Sequence, residues 1–600
     1  MRTTIIRKLT LARSAMLLLG LTSLSLAARS LAQDVDVNPK NVTLGKAEYC
    51  PYLDHAYPDR VYFGDTHLHT SYSTDAGMIG CTLGPDEAYR FARGEEVTSS
   101  TGVRARLQRP LDFLVVSDHS ENLGLAPMIA ESNPDLLKTE WGRMVHDLVK
   151  SGKGGLAYNT WGEALLKRQD PLKGNDAVTR AMWERITTSA EKYNEPGKFT
   201  AFIGFEWTSA PNGNNLHRNV IFRDGKAKAD QIIPISQYDT QDAEELWKWM
   251  NAYEQKTGGR LLAIPHNGNL SCGMMFDDVT LTIKKPLDRN YALQRMHWEP
   301  IYEVTQMKGD GETHPAVSPG DEFANFETWD KGGFGSTVHT RDMLPREYAR
   351  EALKRGLKYE EKIGANPFKF GMIGSTDSHT ALSTATEDNF FGKVTPLEPS
   401  ARPDRFDEII TGRLSKDPSQ RQYAWQTSAS GIAAVWATDN TREALWDAMS
   451  RKEVYATTGT RLIVRIFAGW DFVPDDAERH DFAKYGYQKG VPMGGDLTAA
   501  PEGKAPTFLI RALRDVDGAN LDRVQVIKGW LDTKSETHEQ IWDVAVSGDR
   551  KIEADGRCKT PIGNTVNVAD ASYQNTIGSP MLLGYWKDPN FNGAPSTTYG

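Results

Sequence analysis

Six short apolar runs, each reaching a histidine or an acid at or near its end, constrain this chain more than any other feature. They are RVYF before His67, DFLVV before Asp118 and His119, FTAFIGF before Glu206, RLLAIP before His266, IYEV around Glu303, and FGMIG before Asp377 and His379. Continuous apolar runs of this length suit strands buried on both faces, as in a parallel sheet covered by helices. Helix-like stretches lie between them, among them PDEAYRFAR and DAEELWKWMNAYEQ, the second opening with acids after Thr240. Alternating strands and helices predict an α/β barrel or a doubly wound sheet. In barrels of this class the reactive residues gather at the C-terminal ends of the strands, where the loops converge. His217 is the exception, because it precedes the apolar NVIF instead of following such a run.

The stretch FGDTHLHTSYSTDAG places His67 and His69 two residues apart, so an extended backbone aims both imidazoles to one side. Asp377 and His379 form a second such pair. Together with Asp75, His119, Glu206, His217 and His266 they make nine nitrogen and oxygen donors with no thiolate among them. That mixture suits zinc, manganese or iron and catalysis better than a structural zinc. Nine donors exceed what one ion takes, so two or three divalent ions are expected. Closely spaced ions can clamp a phosphoryl-like group and generate a hydroxide nucleophile near neutral pH. His55, His146, His297, His339, His480 and His538 lack this context and read as ordinary surface or core residues.

The ends of the chain have a different texture. Arg2, Arg7, Lys8 and Arg13 precede AMLLLGLTSLSLAA, and small residues follow, the order of a secretory signal peptide over residues 1–33. Its apolar core is shorter than the roughly 20 residues that span a bilayer. No later segment is apolar enough to span, so a soluble, exported protein, periplasmic or secreted, is expected. The whole chain carries a formal charge of −9, and losing the five basic residues of 1–33 leaves 65 basic against 79 acidic, near −14. Such a surface repels phosphate backbones, which argues against nucleic acid as a partner. Residues 34–460 read as the metal-binding α/β part, with a Pro-, Arg-, Asp- and Ser-rich loop insertion at 393–430. Residues 461–600 hold strand-like runs such as RLIVRIFAGW and PTFLIRALRD between Gly, Pro and Asp-rich turns, predicting an all-β module. Cys50, Cys81, Cys272 and Cys558 match no zinc motif; a Cys81–Cys272 disulfide and two free buried thiols both remain open.

The motifs DTHLHTSYSTDAG, VVSDHS, GFEWTS, HRNVIF, IPHNGN and GSTDSH resemble those of the polymerase-and-histidinol-phosphatase (PHP) superfamily. Within it they are most similar to the secreted branch catalogued as domain of unknown function 3604, as are YEVTQMKGDGETHP and NTREALWDAMSRKEVYATTGTR. The resemblance runs from about residue 45 almost to the C-terminus. It implies a distorted seven-stranded α/β barrel with a trinuclear site. It also implies that His67, His69, Glu206 and Asp377 hold one ion, that Glu206 bridges to a second held by His217 and His266, and that Asp75, His119 and His379 hold a third. The closing GAPSTTYG departs from the pattern, which leaves the last β element open to being incomplete.

The leading expectation is metal-dependent hydrolysis of a small anionic ester, a phosphoester first. Asp118 would orient His119 or relay a proton, or else simply cap the next segment. Lys308 and His314 would contact an anionic substrate. An amidohydrolase-like C–N or C–O hydrolase is the competing enzyme class, but it would place a modified lysine where this chain has Glu206. A non-catalytic exported metal-binding or envelope protein is the alternative outside enzymes.

Overall fold

The apolar runs form strands with almost no exposed residue: β1 (Arg60–Leu68), β2 (Phe113–Val116), β3 (Thr200–Trp207), β4 (Arg218–Phe222), β5 (Leu261–Pro265) and β6 (Ile301–Gln306). Strands β7 (Gly371–Gly374), β8 (Ile432–Ala437) and β9 (Val454–Thr457) follow. The computed structural model describes residues 57–411, 417–428, 431–498, 500–591 and 597–600. The expected signal segment 1–33, Cys50 and His55 lie outside the described residues.

Seven strands make one sheet in the order β9-β8-β1-β2-β3-β4-β5, and β7 pairs with β6 in a second sheet. The first sheet is curled into a half-barrel. Tyr62, Phe113, Leu262, Ile301, Ile373 and Val435, from strands across both sheets, meet in one buried cluster. A flat sheet could not bring them together. Trp446 and Met449 of the helix Arg442–Ser450 join this cluster. The opposite face packs against the helices Pro85–Ala92, Asp176–Tyr193 and Ala243–Thr257 through Leu114, Val116, Ile203, Phe205 and Phe222.

The sheet is mixed, not parallel as the apolar runs predict. Strands β1, β2 and β3 are parallel, but β4 runs antiparallel to both β3 and β5, and β8 antiparallel to β1. This accounts for His217. Because β4 is reversed, its N-terminal end lies at the edge where β3 and β5 have their C-terminal ends, beside Glu206 and His266. Strand burial on both faces gives the same apolar run for either direction, so direction was not readable from the sequence.

Strand β1 also carries an irregularity that its sequence does not announce. Asp65 pairs with Leu114 but Leu68 pairs with Val116, so β1 spends one extra residue between them. Val61 and Phe63 point to the helix side, and so does Leu68. Strict alternation would send Leu68 inward; the bulge reverses the phase and turns His67 and His69 to the interior. Gly64 lies against β2, where a Cβ would come within 2.4 Å of the Phe113 carbonyl oxygen.

After β9 the chain builds two further sheets. Strands β10 (Ile463–Gly469), β11 (Gly490–Pro492), β12 (Thr507–Leu513) and β15 (Met581–Lys587) form one, in the order β11-β10-β12-β15. Strands β13 (Arg523–Leu531), β14 (Thr537–Val546) and β16 (Thr597–Tyr599) form the other. Phe508, Ile510, Val526, Trp542 and Trp586 fill the space between them. The closing residues therefore do supply a strand, β16, which pairs with β13. These sheets meet the half-barrel through Trp436, whose Nε1 donates to the Val464 carbonyl and whose ring lies 4.1 Å under the Arg465 guanidinium. Residues Ala56–Gly600 form one compact unit.

The Cys81–Cys272 pairing does not form: Cys81, Cys272 and Cys558 are free and buried. Cys81 belongs to the helix-side core, whereas Cys272 lies in the turn after β5 beside Gly332. No helix among the described residues is long and apolar enough to cross a membrane.

Candidate metal centre

The strand ends converge on Glu206, a side chain buried at the end of β3. Its Oε1 lies 2.6 Å from His217 Nδ1 and 2.9 Å from His266 Nε2. Its Oε2 lies 3.0 Å from His69 Nε2, 3.1 Å from His67 Nε2 and 3.5 Å from His119 Nε2. One carboxylate thus faces five imidazoles, two on one oxygen and three on the other. His67 Nε2 and His69 Nε2 stand only 3.1 Å apart, both aimed at the same oxygen.

Asp377 supplies the second carboxylate. Its Oδ1 is 3.4 Å from both His67 Nε2 and His69 Nε2, and 3.1 Å from His379 Nε2. The backbone around it ties the two sheets together at this end. Asp377 N donates to the His67 carbonyl, His69 N to that of Ser378, and Ala381 N to that of His69. Asp377 itself has φ of +54°, a left-handed conformation uncommon for a non-glycine residue and frequent at functional sites. Asp75, in the short helix Thr74–Met78, brings Oδ2 to 3.3 Å from His379 Nδ1 and 3.5 Å from His119 Nε2.

The nine residues expected as ligands therefore lie in one continuous cluster, together with Glu303, which the ligand set read from the sequence omitted. Glu303 Oε2 is 3.0 Å from His67 Nδ1, and Glu303, His67 and His266 together make a ligand-like triplet. Its signal was present, an acid inside a buried apolar run, but it sits mid-strand and not at a strand end. Other groups fix the ring orientations. Ser73 Oγ lies 3.1 Å from His69 Nδ1, and Thr208 Oγ1 lies 2.7 Å from His119 Nδ1 while donating to Glu121 Oε2 at 2.6 Å. Partners of this kind orient ligating imidazoles. The donors fit divalent ions: nitrogen and oxygen only, buried, and grouped so that triplets such as His67/His69/Glu206, His119/Glu206/His217 and His69/Asp377/His379 each have ligand atoms within 4.8 Å of one another.

Burial and mutual charge set the protonation of the metal-free cluster. Burial alone would raise Glu206 and Asp75, but the imidazoles of His119 and His266 around the first, and of His379 and His119 around the second, hold both well below the usual carboxylate range. Burial would likewise depress His119, yet Glu206 and Asp75 outweigh it and lift it to about 10. His217 and His379 go the other way, pushed down by burial to about 4 and about 3. Neighbouring imidazoles thus divide into charged and neutral members, the unequal arrangement that like charges in one buried space enforce.

The other expected residues fall in different places. Asp118 does not touch the His119 ring: its carboxylate accepts from Thr70 N at 2.5 Å and Thr70 Oγ1 at 2.8 Å, pinning the turn after His69. Burial pushes it up to about 6. Thr208 and Glu121, not Asp118, are therefore the groups next to His119 Nδ1. Lys308 Nζ is 2.7 Å from Asp377 Oδ2. His314 contacts Asp330 at 3.4 Å and the Tyr348 ring, neither of them a member of the cluster. Lys393, unmarked by any motif or apolar run, comes from the start of the 393–430 segment and places Nζ 2.5 Å from Asp377 Oδ1.

No curated protein and no solved structure matches the chain. A family model described as "Protein of unknown function (DUF3604)" matches residues 56–599. That match takes in every strand and every member of the cluster, and the chain belongs to this family.

Proposed function

We propose that the chain is an exported, metal-dependent hydrolase of the PHP type that cleaves a small phosphoester with two or three divalent ions, zinc, manganese or iron. The observation that carries this reading is Glu206, a buried carboxylate with His217 and His266 on one oxygen and His67, His69 and His119 on the other. A structural acid needs one or two partners; a carboxylate shared between neighbouring ions needs donors on both sides. Divalent ions held there would polarise the ester and acidify a water. The chain's own residues hold the imidazoles in fixed rotations, keep His217 and His379 neutral, and screen the centre from bulk water. Glu206 at the middle strand also favours this class over an amidohydrolase, for which a lysine would be expected there. In this reading β6 and β7 complete the curled sheet as a PHP-type barrel, and residues 1–33 direct export.

The test is a hydrolysis screen of metal-stripped protein resupplied with Mn²⁺, Zn²⁺ or Fe²⁺, using phosphomonoesters, phosphodiesters, sulfate esters and carboxyl esters. Metal-restored turnover of a phosphoester is expected. Turnover of carboxyl esters alone would favour the amidohydrolase class, and a metal-loaded protein inert on all four would favour a binding or envelope role. N-terminal sequencing of exported protein should find a start near Gln33 or Asp34.

A further inference from the structure

Two ammonium groups reach the cluster, and one carboxylate serves both. Lys308 Nζ lies 2.7 Å from Asp377 Oδ2; Lys393 Nζ lies 2.5 Å from Asp377 Oδ1 and also donates to the Asp377 carbonyl. Their side chains are 9% and 4% exposed. Neither is a wandering surface lysine. Lys308 stands two residues beyond the end of β6, and its backbone N donates to Gln306 Oε1 at 2.7 Å. Lys393 is held because His379 N donates to its carbonyl at 2.8 Å and Val394 bridges in parallel to His379.

Both ammonium groups share a single carboxylate. Asp377 also faces His67, His69 and His379, while Glu206, Asp75 and Glu303 are each occupied by imidazoles. A buried ammonium without its own counter-charge is unfavourable. A divalent ion drawing on Asp377 would increase the positive excess, since a bound cation is often the largest charge in a site. With such an ion bound, an anion would complete the arrangement. On the Lys308 side the Phe334 ring, 42% exposed, lies 5.5 Å from Nζ.

We propose that Lys393 and Lys308 are a substrate-binding pair that exchanges Asp377 for the oxygens of a tetrahedral oxyanion carried by the substrate. The substrate role rests on the hydrolase reading above; the binding of an oxyanion does not. Lys393 would make the start of the 393–430 segment part of the site.

Inorganic phosphate is the probe, titrated calorimetrically into metal-loaded protein, with metal content measured on the same samples. The wild type should bind phosphate, Lys393→Met should bind it about tenfold or more weakly, as expected for one lost charge-assisted hydrogen bond, and Lys393→Arg should recover most of the affinity. Metal content should be the same in all three. Unchanged phosphate affinity in Lys393→Met, or no binding by the wild type, would overturn the proposal. Loss of metal in Lys393→Met would also overturn it, assigning Lys393 to holding the left-handed backbone of Asp377. Lys393-dependent phosphate binding in a protein that hydrolyses no ester would leave the pair standing and remove the hydrolase reading.

Discussion

His119 is the residue whose protonation most clearly separates the metal-free from the metal-loaded protein. In the metal-free fold the Glu206 and Asp75 carboxylates hold it near 10, against about 6.5 for an unfolded histidine. The folded state therefore keeps a proton that the unfolded chain releases. This contribution to stability is full below pH 6.5, declines as pH rises above it, and is gone beyond about pH 10. His67, raised by Asp377, Glu303 and Glu206 against the effect of burial, acts in the same direction. Lys393, lowered by burial to about 8, begins to oppose them only near that pH. Thermal melts of stripped protein between pH 6.5 and 8 should thus show Tm falling. Ions require neutral imidazoles, so metal-loaded protein should lose this decline. The same slope with and without metal would contradict it. At this scale the sequence was informative for the members of the cluster, because a histidine or acid at the end of a buried run has few other reasons to be there. It was silent on Lys393, a lysine in a polar segment like many others.

At the scale of elements, position depends on features that a one-dimensional reading could not reach. The His67–x–His69 spacing predicts two imidazoles on one side, and that holds, but which side is decided by the bulge between Asp65 and Leu68. His217 looked misplaced only because strand direction leaves no trace in a run buried on both faces. The reversed β4 is held at its start by a buried network: Arg218 Nε lies 3.0 Å and Arg295 Nε 3.1 Å from the Glu299 carboxylate, with all three side chains at most 4% exposed. Removing the acid would leave two buried guanidinium groups unpaired. Glu299→Ala should therefore cost roughly 3–5 kcal/mol in denaturant unfolding. Because Arg218 adjoins His217, it should also lower bound metal. A loss below about 1 kcal/mol, the value of an exposed pair, would show that the network is not what fixes β4. Gly64→Ala tests the packing of β1 on β2. A Cβ there meets Phe113 on backbone and ring alike, and a cost of about 1–3 kcal/mol is expected from overpacking. A neutral change would mean that the two strands separate without penalty.

At the scale of the whole molecule, burial on both faces and alternating burial leave different runs in the strands of the first sheet and in those after β9. Strand β10 alternates buried and half-buried residues, whereas β3 is buried throughout. That β6 and β7 pair in a sheet apart from the seven-stranded one was not readable, since it depends on which strands pair. What unites the half-barrel is Glu206, on which residues at the end of β1, in the turn after β2, just before β4 and in the turn after β5 converge. The most direct measurement is metal stoichiometry on the wild type and Glu206→Gln, with the fold monitored by circular dichroism. The change keeps the shape and removes the anion shared by both groups of imidazoles. Two or three ions per wild-type chain, and near-complete loss of metal and of any hydrolysis in a folded Glu206→Gln protein, are the predicted results; His69→Ala, which removes one donor of several, should keep part of its metal. A folded Glu206→Gln protein that retains the wild-type metal content would contradict the polynuclear centre.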